Sequence, residues 1–335
     1  CSGLQLRVHR FDSVLSLHSY MKVIVTGCVG FIGFHLTKKL LSFGIDVIGI
    51  DNIDDYYSIK LKFDRLKTLK LNKQFKFIKN DINHINKLDF KVDLLINLAA
   101  QAGVRLPEKQ NFKYVNSNIN GFRSILNFAD RFQIEKIIFA SSSSVYSGIS
   151  SFPLTESKEL QEPTSKYAES KILNEHDALV FSKKRRAKLI GLRFFTVYGP
   201  WGRPDMAYYS FTTNIIKNKN ITLFNNGNTY RDFTYIDDIV DGILKSIDYF
   251  DHMESYYEIF NLGNSCPIST TEILNIIESR LNKSTNIISI PRANEVEKTW
   301  ASIEKSSECL GFQPKKNIND GMNNFLDWYM DYYKI

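Results

Sequence analysis

The sequence predicts an α/β fold, in which a doubly wound parallel sheet carries helices on both faces and is followed by a smaller α/β lobe. Three observations predict it. Short segments rich in Val, Ile and Leu alternate with amphipathic helical patterns as far as residue 194. A glycine-rich loop joins the first strand pattern to the first helix pattern. Beyond Thr196 the alternation ends in the loop-forming segment 199–204, GPWGRP.

Each element of the sheet region has its own signal. Residues 22–26 form a β-branched run, and the helix that follows carries an apolar stripe from Phe31 to Leu41 and stops near Gly44. Residues 46–50 repeat the buried-strand pattern, and the lysine-rich segment 59–72 predicts an exposed helix. The further predicted strands are 75–78, 92–98, 136–140 and 187–194, and the further predicted helices are 112–132 and 164–182.

The length of 335 residues fits one or two domains. We predict a sheet domain at 21–195 and a substrate-facing lobe at 196–335 that is partly interleaved with it. Residues 1–20 do not begin with Met and lack the apolar stretch of a signal peptide. We interpret them as a leader, an upstream translation assigned in error, or a cloning remnant.

Composition excludes several classes of protein. Hydrophobic residues make up 43% and charged residues 24%, which is typical of a globular chain, and no run of about 18 apolar residues predicts a membrane span. The net charge is +7, but the sharpest basic cluster, 183–186, reads as a solvated helix end, so we predict no nucleic-acid partner. The four cysteines are scattered without metal spacing, which favours a cytoplasmic location and no metal site.

Residues 26–33, TGCVGFIG, form a GxxGxxG loop between the first strand and the first helix. Gly27 permits a tight turn, Gly30 lets a pyrophosphate approach the backbone, and Gly33 lets the helix pack close to the sheet. The free N–H groups of the helix then point at the anion. The alternative is a glycine-rich turn without a ligand, which the strand–loop–helix context disfavours.

Acidic and small residues follow the next strands. Asp51, with Asn52 after it, ends the second strand, where a carboxylate accepts hydrogen bonds from a ribose 2′-OH and repels a 2′-phosphate, so NAD is favoured over NADP. Asp81 and Ile82 follow the third strand, where adenine would lie, although Asp81 could equally cap a helix. The small residues of 98–103, LAAQAG, would let the backbone pass beside a flat cofactor or simply pack tightly.

Tyr167 and Lys171 form a YxxxK pair on one face of the predicted helix 164–182. A nearby ammonium favours the ionised phenol, so the pKa of Tyr167 is predicted to fall from its usual value of about 10. Such a tyrosine can serve as general base and acid. Chance YxxxK pairs are common, but this one lies about 25 residues after Ser142 in a serine tract at the C-terminal end of the fifth strand, where ligands bind in such sheets.

Six motifs together carry a family resemblance. They are TGCVGFIG (26–33), LAAQAGVR (98–105), SSSSVY (141–146), YAESK (167–171), RFFTVYGPWGRPDMA (193–207) and RDFTYIDDIV (231–240). From Met21 to about Trp328 the chain resembles the extended short-chain dehydrogenase/reductases that epimerise nucleotide sugars, and among them UDP-glucuronate 4-epimerases. Ser147, where the relatives usually have glycine, and the loosely matching segment 291–302 depart from the pattern.

The resemblance implies an NAD-binding Rossmann domain, NAD as cofactor, a UDP-sugar substrate and a homodimer built on helices 112–132 and 164–182. It implies catalytic roles for Ser142, Tyr167 and Lys171. With the reasoning above, it assigns cofactor contacts to Gly27, Gly30, Phe31, Ile32, Gly33, Asp51, Asn52, Asp81, Ile82, Leu98, Ala99, Ala100, Asn116, Tyr167, Lys171 and Phe195. It assigns substrate contacts to Gln101, Arg105, Ser144, Thr196, Arg203 and Arg231.

The serine tract selects among the family's reactions. Related dehydratases and decarboxylases usually carry an acidic residue where this chain has Ser144, so the resemblance implies NAD-dependent 4-epimerisation of a UDP-hexuronic acid through a 4-keto intermediate. Thr196 and Arg203 are candidates to restrain the sugar carboxylate, since arginine can grip a carboxylate with two bonds. A diphosphate or structural contact is the alternative for Arg203.

Arg231 is assigned to the diphosphate, and an ion pair with Asp232 or Asp237 is its alternative. The rival reactions are 4-epimerisation of UDP-glucose or of a UDP-N-acetylhexosamine. A catalytically silent NAD-sensing protein is a rival of another class, and the intact YxxxK pair disfavours it.

Overall fold

The computed structural model describes residues 21–104, 106–291 and 297–335, so the segment 1–20 and the predicted substrate residue Arg105 lie outside the described residues. The strands are β1 (Lys22–Thr26), β2 (Asp46–Asp51), β3 (Phe75–Lys79), β4 (Leu94–Asn97), β5 (Lys136–Ser142), β6 (Lys188–Phe194), β7 (Thr196–Tyr198), β8 (Ile221–Phe224), β9 (Tyr230–Tyr235), β10 (Tyr257–Leu262), β11 (Pro267–Ser269), β12 (Ile287–Ile290) and β13 (Lys298–Thr299). The α-helices are α1 (Phe31–Ser42), α2 (Ile59–Leu69), α3 (Gly121–Arg131), α4 (Lys166–Arg185), α5 (Ala207–Ile216), α6 (Ile236–Tyr249), α7 (Thr270–Leu281), α8 (Glu304–Leu310) and α9 (Ile318–Tyr333).

A seven-stranded parallel sheet forms the centre of the molecule, in the order β10-β6-β5-β4-β1-β2-β3. The predicted doubly wound parallel sheet is therefore confirmed. The strand order reverses between β1 and β4, and in such sheets ligands bind outside the carboxyl ends of the strands at this reversal. The glycine loop follows β1 and the segment 98–103 follows β4, so both lie at that position.

Alternate residues of each strand enter two different cores, because parallel sheets are covered on both faces. Val23 and Val25 of β1 pack in one cluster with residues of α1, α6 and α9. Ile24, which lies between them, packs in a second cluster with Phe122 and Phe128 of α3 and with Ala178 of α4. The sheet is thus held between two helical layers, which fixes the strand ends that carry the predicted site.

The later part of the chain is divided between this sheet and smaller ones. β7 begins two residues after β6 ends and pairs with β9, which also pairs with β11 and β13. β8 pairs with β12, whereas β10 returns to the central sheet and pairs with β6 over six residues. Within the three described ranges, the structure has no helix that is long and apolar enough to cross a membrane.

The predicted helix 112–132 is not one regular helix. Residues Tyr114–Asn120 form a π-helical turn, and regular α-helix resumes at Gly121 in α3. A side chain at Gly121 would overlap the Ile82 side chain, at 2.5 Å from its Cδ1. The close packing therefore requires glycine here, and the wider π turn is the kind of local distortion that is common at functional sites.

Candidate active site

The glycine loop has the shape that the sequence predicts. Gly27 adopts φ +68° and its N–H donates to the Ile50 carbonyl at 2.8 Å. A side chain at Gly27 would lie 2.8 Å from the Ala99 nitrogen, and one at Gly33 would lie 2.1 Å from the Gly27 oxygen. Both positions therefore require glycine for the contact between loop, sheet and helix.

Gly30 differs from the other two glycines of the loop. A side chain there would approach only Gly27, at 3.0 Å from its oxygen. Gly30 also caps α1 without any side-chain hydrogen bond to the helix N-terminus. The loop therefore leaves the N-terminal amides of α1 accessible from the Gly30 side, which suits a pyrophosphate.

The Asp51 carboxylate is buried and accepts two hydrogen bonds from the protein backbone. Its Oδ2 accepts the Val29 N–H of the glycine loop at 3.2 Å, and its Oδ1 accepts the Ile53 N–H at 2.8 Å. Burial raises the pKa of Asp51, and these hydrogen bonds oppose that rise. Asp51 therefore helps to shape the loop, a role that the sequence did not reveal.

Asp81 caps the 3-10 helix Ile82–Lys87, as the alternative interpretation of this residue expected. Its Oδ1 accepts the Asn83 N–H at 2.9 Å, and its Oδ2 accepts a hydrogen bond from the Asn52 side chain at 2.9 Å. The two predicted cofactor residues after β2 and β3 are thus joined directly, which places them at one edge of the site.

Arg65 is a buried link that the sequence analysis missed. The lysine-rich helix was predicted to be exposed, which is wrong for one face of α2, because Arg65 is fully buried. Its guanidinium donates to the Val29 carbonyl at 2.8 Å, to the Tyr57 hydroxyl at 2.7 Å and to the carbonyls of Trp201 and Gly202. Arg65 therefore connects the glycine loop to the loop that carries Arg203.

A buried asparagine organises the segment after β4. The Asn118 side chain accepts the Gln101 N–H at 2.7 Å and donates to the Gln101 carbonyl at 3.2 Å and to the Ser170 hydroxyl at 3.0 Å. Asn116, which was predicted to line the cofactor, is exposed on the same π turn. Helical spacing could not distinguish the two, because a π turn shifts which residues face inward.

Ser142, Tyr167 and Lys171 come together at the ends of β5 and α4. The Ser142 hydroxyl donates to the Ser144 hydroxyl at 3.1 Å and lies close enough to the Tyr167 phenol to act on its pKa. The Lys171 Nζ donates to the Ala140 carbonyl at 2.8 Å and lies 5.9 Å from the centre of the Tyr167 ring. The three predicted catalytic residues are therefore neighbours.

The acidity of these groups differs from the sequence prediction. Burial raises the pKa of Tyr167, while the hydrogen bond with Ser142 and the positive charge of Arg203 act in the opposite direction. The predicted lowering of the phenol pKa by Lys171 is therefore wrong. Burial lowers the pKa of Lys171 itself to about 8, and the Glu175 carboxylate opposes that fall.

A buried ionic network lies behind the serine tract. Arg193 of β6 donates to both carboxylate oxygens of Glu175, at 2.8 and 2.7 Å, and the Ser141 hydroxyl donates to Glu175 at 2.5 Å. Arg193 also donates to the Tyr146 hydroxyl at 2.8 Å. The sequence analysis missed Glu175, although its position one helical turn after Lys171 could have indicated that the two lie on one helix face.

The predicted substrate arginines have different surroundings. Arg203 makes two hydrogen bonds to Asp205, whose carboxylate also accepts the Tyr56 hydroxyl at 3.2 Å. Arg231 of β9 donates to the Tyr230 carbonyl at 2.9 Å. The structure therefore adds Asp205 as a partner that orients Arg203.

Other predicted residues are placed as follows. Thr196 begins β7 and is half-buried, whereas Phe195 is buried and packs against Tyr146 with ring centres 6.4 Å apart. Asp232, the alternative partner of Arg231, accepts the backbone N–H groups of Asn264, Ser265 and Ala301. Its carboxylate therefore organises the loops around β9.

Comparisons with known proteins give a consistent assignment. A family model described as the NAD dependent epimerase/dehydratase family matches residues 23–263. An uncharacterised protein of Methanocaldococcus jannaschii is 44% identical over 320 residues, which cover 93% of this chain and 97% of that protein. UDP-glucuronate 4-epimerase 4 of Arabidopsis thaliana is 38% identical over 338 residues, which cover 95% of this chain and 77% of that protein. The crystal structure of UDP-glucuronic acid 4-epimerase from Bacillus cereus, in complex with UDP-glucuronic acid and NAD, matches with a TM-score of 0.87 and 33% identity over 93% of this chain and 100% of that one.

Proposed function

This chain belongs to the NAD dependent epimerase/dehydratase family, and from that premise we propose that it interconverts UDP-glucuronate and UDP-galacturonate by inverting C4 through a transient 4-keto sugar. The observation that carries the proposal is the meeting of Ser142, Tyr167 and Lys171 at the carboxyl ends of the parallel strands, where the glycine loop also lies. This arrangement supports oxidation and reduction of a sugar hydroxyl.

The residues around the strand reversal fit NAD. The open side of Gly30 and the N-terminus of α1 would hold the pyrophosphate, Asp51 would accept the ribose hydroxyl, and the Asn52–Asp81 pair would border the adenine. When bound, NAD supplies the acceptor and donor of the hydride.

The side chains of this chain handle the proton. The phenol oxygen of Tyr167 takes the proton of the sugar C4 hydroxyl and later returns it, and the Ser142 hydroxyl holds the C4 oxygen by a hydrogen bond. Burial opposes ionisation of Tyr167, and the charge of Arg203 and the neighbouring Ser142 hydroxyl act in the opposite direction, towards the phenolate.

The sugar carboxylate needs restraint, because a 4-keto hexuronate is a β-keto acid and tends to lose CO₂. Arg203 is the proposed restraint, together with Thr196, which begins β7. Asp205 and Tyr56 hold the guanidinium of Arg203 in place, so its direction is fixed before the substrate arrives.

The serine tract also argues against elimination of water. That reaction needs an acid at the leaving hydroxyl, and Ser144 occupies the position where related dehydratases carry one. Glu175 does contact the tract, but it is held in two hydrogen bonds by Arg193 and faces Ser141. Both of its oxygens are therefore engaged by Arg193, and Glu175 is not directed at a leaving hydroxyl.

A product assay with separate UDP-sugars tests the proposal. Purified protein is incubated with UDP-glucuronate, UDP-glucose or UDP-N-acetylglucosamine, and the products are separated by chromatography. We expect UDP-galacturonate from the first and at least a hundredfold slower turnover of the others, since a paired arginine discriminates strongly against an uncharged sugar. Turnover of a neutral sugar without turnover of UDP-glucuronate would contradict the proposal.

We also propose that two copies associate through α4 and the segment 112–131. Phe112, Val115 and Val180 are large apolar side chains that are at least half exposed, and the Arg123–Asp177 ion pair joins α3 to α4 on this side. A cytoplasmic location is proposed as well, because the three described cysteines are free thiols.

A further inference from the structure

The helix that carries Tyr167 is joined to the strand that carries Ser142 at three successive turns. Tyr167 lies beside Ser142, Lys171 donates to the Ala140 carbonyl at 2.8 Å, and Glu175 accepts the Ser141 hydroxyl at 2.5 Å. The first two contacts involve the proposed catalytic residues. The third involves a carboxylate that the proposed mechanism does not use.

Glu175 is built into the protein more firmly than a surface carboxylate. Its side chain is 8% exposed and that of Arg193 is 5% exposed. Arg193 in turn donates to the Tyr146 hydroxyl, which donates to Asn261 of β10 at 2.7 Å. The carboxylate is therefore fixed from β6 and β10 as well as from its own helix.

The described ionisable groups around Lys171 come from several elements. Tyr167 and Glu175 flank it on α4, Arg193 lies on β6 behind Glu175, and Tyr146 and Tyr257 are the ionisable groups from the neighbouring segments that contact this network. Among them, Glu175 is the group whose negative charge acts on the Lys171 ammonium. Burial alone would favour the neutral amine.

We propose, resting on the function given above, that Glu175 is a positioning residue of the reaction, which fixes the Ser142 strand end against the Tyr167 helix and holds Lys171 as an ammonium ion. Arg193 and Tyr146 serve by keeping the carboxylate in place. Because Glu175 is held by Ser141 and Arg193, its proposed effect on the reaction passes through Ser141 and Lys171.

Glu175→Gln tests the charge while keeping an oxygen that can accept from Ser141. Because this change leaves Arg193 buried without its anion, the double variant Glu175→Gln with Arg193→Met is measured beside it. Glu169→Gln is the matched control, since Glu169 lies on the same helix in an exposed pair with Lys166.

The first measurement needs no substrate. Carbon-13 NMR of protein labelled at the lysine side chains, with the Lys171 signal assigned by its loss in Lys171→Met, follows the Lys171 titration from about pH 6 to 10. We expect a midpoint near 8 in the wild type and one at least about one pH unit lower in Glu175→Gln. A midpoint that stays within roughly 0.3 unit of the wild-type value, the precision of such a titration, would overturn the proposal.

The second measurement is the pH profile of kcat with UDP-glucuronate. We expect kcat at neutral pH to fall about 10- to 100-fold in Glu175→Gln, with KM changed less than about threefold and with the alkaline limb moved to lower pH. If activity were lost together with bound NAD while the alkaline limb of the kcat profile stayed at the same pH, Glu175 would have a merely structural role, which would contradict the proposal. A wild type that is inactive on UDP-glucuronate but shows the NMR shift would refute the proposed substrate and leave the role of Glu175 supported.

Discussion

Tyr167, the proposed proton-transfer residue, has neighbours from three separate elements. Ser142 comes from β5, Lys171 from the same helix and Arg203 from the loop before α5. Burial works against ionisation of the phenol, while Ser142 and Arg203 act in the opposite direction. The proposed chemistry is therefore expected to be most sensitive to substitution of Tyr167 and of these neighbours.

Tyr167→Phe removes the oxygen that moves the proton and leaves the ring packing near Tyr114 unchanged. We expect kcat for UDP-glucuronate to fall by about 10³-fold or more while bound NAD stays at the wild-type level. Product chromatography and NAD extraction measure the two. Tyr256→Phe, at an exposed tyrosine, is the control, and equal activity in both variants would remove Tyr167 from its role.

Asp248 on α6 gives a prediction about stability and pH. Burial, with Asp251 and Asp241 nearby, raises its pKa to about 6, and its Oδ1 has no hydrogen-bond partner among the described residues. Since the folded pKa lies above the unfolded value near 3.8, this carboxyl favours the folded state at low pH and loses that contribution as pH rises through 6.

Asp248→Asn removes the charge, so we expect the variant to be more stable than the wild type at pH 7 by about 1–2 kcal/mol, allowing for partial exposure. The gain should disappear at about pH 4, where both side chains are neutral. Urea unfolding at both pH values measures this difference. The same gain at both would show that the charge is not its cause.

At the scale of elements, the structure depends on links between loops that are far apart in the sequence. Arg65 of α2 holds the glycine loop and the loop at 201–202 together, and the His35 ring contacts the Pro200 carbonyl at 2.9 Å beside it. Burial lowers the pKa of His35 to about 3, so this second contact is made by a neutral ring.

Arg65→Met keeps the length of the side chain but leaves the carbonyls of Val29 and Gly202 without their donor. We expect about 2–4 kcal/mol less stability toward unfolding and weaker retention of NAD, because the glycine loop loses a support. Thermal unfolding and NAD extraction measure both. Lys67→Met, exposed on the same helix, should resemble the wild type, and a normal NAD content in Arg65→Met would disprove the link.

The sequence predicted six of the seven strands of the central sheet, because a short apolar run is a local signal, and it did not predict β10. Every predicted strand from 22 to 194 corresponds to an observed one. The π turn at Tyr114–Asn120 was not predictable in this way, since it depends on close packing of Gly121 against Ile82. Arg65, Asn118 and Asp205 were missed because their partners are contributed by tertiary packing, which spacing in the sequence does not report.

At the scale of the whole molecule, an exposed apolar surface on α4 and around residue 115 suggests association between copies. Val180→Asp places a charge on that surface without touching the proposed active site. We expect the variant to elute as a monomer where the wild type elutes as a dimer, since a buried unpaired charge disfavours the interface. Light scattering during size-exclusion chromatography measures the masses. A Glu169→Gln control should remain dimeric, and a dimeric Val180→Asp would place the interface elsewhere.

The seventh strand of the central sheet, β10, is supplied by residues 257–262, although the six others precede residue 195. A fragment ending at residue 195 would expose the backbone N–H and C=O groups of β6 along an edge rich in Leu and Ile. During synthesis the sheet stays incomplete until the ribosome has passed residue 262. The part of the chain up to residue 195 is therefore unsuited to be expressed alone. The strand that covers its edge, β10, begins at residue 257, more than sixty residues after β6 ends at residue 194.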